Sequence, residues 1–121
     1  MSNTVTIYHN PKCNSSRTAL ALIREKGIEP KIVEYLKTPP TEAELKLLIK
    51  RMGIGGPRAL LRTKEAPYAA LKLDNPKLSD DQIIAAMVAH PILMNRPIVA
   101  TAKGVRLGRP PEAVLEILPK S

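Results

Sequence analysis

The stretch up to Tyr35 constrains this chain most, because two β-branched runs there flank a single helical pattern. Thr4 to Tyr8 alternates around Val5 and Ile7, the period of a strand. Asn10 and Pro11 break it. From Ser15 or Ser16 to Lys26, residues Ala19, Leu20, Leu22 and Ile23 fall on one helical face, with Gly27 as the stop and either serine as the cap. Beyond Pro30, Lys31 to Tyr35 reads as a second strand. Strand, helix and strand this close together form a βαβ unit, and its right-handed crossover makes the strands parallel.

Thr38, Pro39 and Pro40 then interrupt the chain. Thr41 and Glu44 have capping-box spacing and open a helix through Leu45, Leu48 and Ile49 to Gly53. A Gly55–Pro57 loop, a short apolar turn at Ala59–Leu61 and a short helix over Pro67–Leu73 follow. Ser79 and Gln82 repeat the capping-box pattern before Ile83, Ile84, Met87 and Val88, in a helix that ends at His90 and Pro91. Pro97–Ala100 and Val105–Leu107 flank a hairpin turn, and Pro110 or Pro111 starts a last helix over Ala113–Leu118. The order βαβ, helical block, ββα predicts an α/β protein. Its simplest form is a mixed four-stranded sheet with helices on both faces, in the element order of a thioredoxin-like fold. Residues 38–90 would be a helical insertion in a single domain, 1–121.

Composition narrows the function classes. With no Phe and no Trp, aliphatic side chains must build the core. One cysteine excludes an intramolecular disulfide and a four-thiolate zinc site, and two lone histidines with four scattered methionines make no metal pattern. No apolar run approaches the ~18–20 residues that span a bilayer, and the opening residues lack the basic and apolar regions of a signal peptide. The expectation is a soluble, cytoplasmic protein with no membrane partner. A formal net charge of +8 draws anions: nucleic acid, anionic membrane or small oxyanions. Three tyrosines offer few stacking platforms and the basic residues form no block, so no nucleic acid is expected.

Cys13 lies between the first strand and the first helix. A thiol ahead of a helix N-terminus faces unpaired backbone N–H groups and the positive end of the macrodipole, which favour thiolate. The same N–H groups can hold an oxyanion beside the sulfur. Lys12 and Arg17 add positive charge nearby. Ser16 stands where a dithiol redox protein has its second cysteine, so an oxidised Cys13 has no partner in its own chain. Reduction must come from an external thiol.

Five ordered blocks complete the pattern. They are Ile7–Pro11 with Cys13; Tyr35–Thr41; Arg58–Arg62; His90–Val99; and Gly104–Pro110 followed by Val114–Pro119. In these the chain resembles the glutaredoxin-coupled arsenate reductases of arsenical resistance and their short relatives, over nearly its whole length. The resemblance implies that Cys13 is the nucleophile that attacks arsenate. It implies that Arg62, Arg96 and Arg109 bind the oxyanion, a task suited to guanidinium because its planar fork meets tetrahedral oxyanions and keeps its charge. It gives His9 a part in keeping the thiol ionised, beside the alternative of a histidine that bonds the turn. Ser16 is a cap or an oxyanion contact, Arg17 is a residue of the site rim or a surface cation of the first turn, and His90 is structural. In thioredoxin-like folds the proline facing the cysteine is cis, so a cis Arg96–Pro97 bond is expected.

The implied reaction uses no bound cofactor and no metal. Glutathione is the co-substrate, and glutaredoxin is the partner that resolves the adduct. Two other readings stand beside it: a regulatory protein that binds RNA polymerase on the same fold, and a glutaredoxin-like thiol transferase. The chain ends sooner than the longer reductases, and its Arg106–Glu112 segment resembles the short relatives, with Gly108 where some members carry a second cysteine.

Overall fold

A computed structural model describes residues 4–118; Pro119, which closes the last sequence block, lies outside them. The chain forms two compact units, residues 1–38 with 96–121, and residues 39–95.

The first unit is built on a sheet of β1 (Thr6–Tyr8), β2 (Lys31–Val33), β3 (Ile98–Thr101) and β4 (Gly104–Leu107), ordered β2-β1-β3-β4. β1 pairs with β2 in parallel, as the crossover through α1 (Asn14–Glu25) requires, and with β3 antiparallel. β3 and β4 form the expected hairpin. Val5, Ile7 and Val99 share one face, where Ala19 and Ile23 of α1 meet Val114 and Ile117 in a dry aliphatic cluster. Thr101 on that face donates its hydroxyl to the Ile117 carbonyl at 2.6 Å, which closes the cluster.

Three elements differ from their sequence reading. β2 stops at Val33, because Glu34 turns the chain: its carbonyl accepts the N–H groups of Lys37 and Thr38. Tyr35 is fully buried although it lies outside the strand. The last helix is a 3₁₀ helix over Pro111–Ile117, opened by two prolines that supply no N–H. Neither serine caps α1. Its N-cap is Cys13.

The second unit contains α2 (Glu42–Met52), α3 (Ala66–Ala70) and α4 (Asp80–Ala89), with 3₁₀ turns at Pro57–Leu60 and Pro91–Leu93. Both capping boxes form: Thr41 with Glu44, and Ser79 with Gln82. Gly53 ends α2 in the left-handed conformation, at φ 66°, that glycine adopts without a steric penalty. Leu45, Leu48, Ile49, Ile83, Ile84 and Met87 pack α2 against α4. Leu61 bridges to Met94, and the N–H groups of Arg62 and Asn95 donate to the Leu93 and Leu60 carbonyls at 2.8 Å. Arg58 ties down the following loop by donating to the Leu73 and Asn75 carbonyls.

Candidate active site

The turn from β1 to α1 is organised by its own polar groups. Asn10 accepts the Cys13 N–H on its carbonyl and the Lys12 N–H on its side-chain oxygen, each at 3.0 Å. An asparagine before proline favours such a turn, and the same pair ends the first strand in the sequence. Arg17 reaches back across the outside of the turn, donating to the Pro11 carbonyl at 2.8 Å and to the side chain of Asn14. It acts as a strap on the loop.

Inside the turn the pieces are buried. Ser16 is fully buried, and its Oγ accepts the Asn10 N–H at 3.0 Å while lying 2.6 Å from His9 Nδ1. A hydroxyl that accepts from Asn10 can donate to Nδ1, the pattern of a neutral imidazole protonated at Nε2. Burial lowers the His9 pKa, helped by the charges of Arg24 and Arg17 and opposed by Glu34. A neutral His9 is therefore the stable form, and its link to the thiol turn runs through Ser16. This corrects the reading of Ser16 as a cap: its hydroxyl points inward, and it braces the loop from below.

Cys13 sits partly exposed at the head of α1. Desolvation pushes its thiol pKa up. The Ser16 amide, the Arg96 charge, the Ser15 amide and an Arg96 hydrogen bond together outweigh that and hold it below the ordinary value. No acidic residue occupies the first turn of α1, so the sulfur is the only anion offered to that helix end within the turn.

Arg96 leads directly into a cis Arg96–Pro97 bond, as expected, and a second cis bond joins Arg109 to Pro110. Arg109 is exposed and donates to the Arg96 carbonyl at 3.4 Å. Gly108 lies between the two arms, where its N–H donates to the Pro97 carbonyl at 2.8 Å and an added Cβ would stand 2.7 Å from the Pro97 ring. Cys13, Ser16, His9, Arg17, Arg96 and Arg109 are thus gathered in one unit. Arg62 belongs to the helical unit, where it pairs with Glu65 at 2.7 Å and donates to the Ile92 carbonyl at 3.4 Å. His90 ends α4, donating its N–H to the Ala86 carbonyl, in keeping with a structural part.

The first-turn amides of α1 and the charge of Arg96 thus favour the thiolate form of Cys13. The sequence matches the ArsC family over residues 8–117. The chain belongs to that family. It is 57% identical over 119 residues to the arsenate reductase of Escherichia coli (strain K12), covering 98% of this chain and 83% of that one. It is 48% identical over 118 residues to a protein of the same strain called "Uncharacterized protein YfgD", covering 98% of this chain and 99% of that one. The solved structure of an arsenate reductase from Vibrio cholerae matches with a TM-score of 0.92 at 50% identity, over 95% of this chain and 98% of that one. The thioredoxin-like sheet and its cysteine loop are therefore the ArsC fold. Among the described residues no cluster of three His, Cys, Asp or Glu side chains could hold a metal, and no helix is long and apolar enough to cross a membrane.

Proposed function

We propose that this ArsC protein is a monothiol arsenate reductase whose nucleophile is Cys13. What carries the reading is the 57% identity to an arsenate reductase over 98% of this chain, together with Cys13 at the N-cap of α1, where the Ser16 and Ser15 amides and the Arg96 charge favour thiolate. Cys13 thiolate attacks arsenic and displaces one oxygen as water, so a sulfur–arsenic bond forms while arsenic stays As(V). Arg96 and Arg109 hold the remaining oxygens, whose charge grows as the leaving oxygen departs, a task that the family resemblance gives to Arg62 as well.

Two electrons must then reach arsenic, and a chain with one cysteine cannot supply them by forming its own disulfide. Glutathione provides one thiol and glutaredoxin the other. Their sulfurs leave joined as a mixed disulfide, arsenic becomes As(III), and water releases arsenite from Cys13. A reducing, glutathione-rich compartment such as the cytoplasm suits such a cycle. A polymerase-binding role would gain nothing from a guanidinium at the sulfur.

The test is arsenate-dependent NADPH oxidation in the presence of glutathione, glutathione reductase and glutaredoxin. Turnover in the wild type and its loss in Cys13→Ser are expected. Turnover that survives Cys13→Ser overturns the reading. Turnover on a glutathionylated peptide, insensitive to Arg96→Ala and without arsenate activity, replaces it with the thiol transferase.

A further inference from the structure

The cysteine loop opens on one side into a shallow groove of about 630 Å³ along α1, lined by Pro11, Arg17, Leu20, Ala21, Arg24 and Glu25, with His9 beneath. Its walls have a definite charge order. Arg17 stands at the end next to the cysteine loop, Leu20 and Ala21 form an apolar middle, and Arg24 with Glu25 forms a mixed-charge far end. The two arginines are seven positions apart, two helical turns, with α-carbons about 10 Å apart along the axis.

We infer that this groove is the seat of glutathione, its two carboxylates held by Arg17 and Arg24 and its ammonium by Glu25. Glutathione is a tripeptide with a carboxylate at each end and an ammonium beside one of them. An α-linked tripeptide spans about 10–11 Å, and the γ-link of the glutamyl residue lengthens glutathione beyond that, enough to reach from Arg17 to Arg24. The zwitterionic γ-glutamyl end matches Arg24 and Glu25, the glycyl carboxylate matches Arg17, and the uncharged middle lies over Leu20 and Ala21. That order sets the glycyl end, and the thiol beside it, toward the loop that carries Cys13.

Both guanidiniums have capacity for this. Arg17 bonds only neutral acceptors, the Pro11 carbonyl and the Asn14 amide, so those contacts leave its charge uncompensated. Arg24 makes a bidentate pair with Glu29, each contact 3.0 Å, on the surface with the arginine side chain 49% exposed, so a ligand carboxylate displaces or shares Glu29 in a solvent-screened pair.

The inference rests on glutathione being the reductant, and its test separates the two. In the coupled assay, Arg24→Glu is expected to raise the glutathione KM about tenfold and leave the arsenate KM unchanged. The unreactive probe S-methylglutathione, titrated into isotope-labelled wild-type protein, is expected to move the backbone amide signals of residues 17–25. Arg24→Glu is expected to weaken that response. An unchanged glutathione KM in Arg24→Glu overturns the groove and leaves the arsenate reading standing. If the wild type reduces no arsenate with glutathione, the titration decides the groove alone, and still α1 signals overturn it.

Discussion

The N-termini of α1, α2 and α4 make the sharpest contrast in the molecule. In the helical unit, α2 and α4 close their first turns with capping boxes and carry Glu42 and Glu44, or Asp80 and Asp81, against the positive helix end. These ends are satisfied locally. α1 has no acidic residue in its first turn, and no hydroxyl caps it; its Ser15 and Ser16 amides bear on the Cys13 sulfur. The charge distribution follows the same division. Residues 1–38 and 96–121 carry eleven basic against five acidic residues, whereas residues 39–95 carry eight against six. α2 and α4 use their helix ends for stability; α1 offers its first-turn amides to the Cys13 sulfur.

Four perturbations sharpen this contrast, the largest first. Arg96→Ala removes a guanidinium from the sulfur and is expected to lower kcat/KM for arsenate by about 10²–10³, the scale of losing one transition-state donor. The same variant should move the thiol alkylation profile to higher pH; an unmoved profile would separate Arg96 from the sulfur. Ser15→Asp gives α1 the acidic first turn that α2 and α4 already have. A carboxylate there competes with the thiolate, and alkylation at neutral pH should slow by about three- to tenfold.

Ser79→Ala makes the opposite kind of change. It should cost about 1 kcal/mol in urea unfolding, as the loss of a cap does, with no change in the Cys13 alkylation profile. The smallest effect concerns pH. His9 has a lowered folded pKa, so its contribution is fully present above the unfolded histidine value, ~6.5, and is lost as pH falls through the folded one. Stability measured from neutral pH downward should decline over that window, and the decline should flatten in His9→Gln.

Much of this was legible in the chain itself. β-Branched alternation located β1, both capping boxes formed where their spacing placed them, and the hairpin followed from the same reading, whereas the cis Arg96–Pro97 bond is implied by the likeness to thioredoxin-like folds. What escaped it depends on direction. Capping rules assign a serine near a helix start to the cap, and they cannot tell that Ser16 turns inward to His9 and Asn10 instead. Arg17 reads as a surface cation until the fold shows its head folded back on Pro11. Likewise Pro110 and Pro111 mark a helix start without deciding between α and 3₁₀ hydrogen bonding.

The supports of the Cys13 sulfur have one property in common. Backbone amides do not ionise over the pH range in which proteins work, and a guanidinium keeps its proton throughout it. The buried imidazole stands one residue removed, behind Ser16, and is neutral. No neighbour at the sulfur therefore switches its charge as the medium changes. Against an uncharged alkylating reagent, reactivity should rise with pH along a single limb that belongs to sulfur alone, without the descending limb of a thiolate–imidazolium pair. The thiol's own proton then decides when the sulfur is nucleophilic.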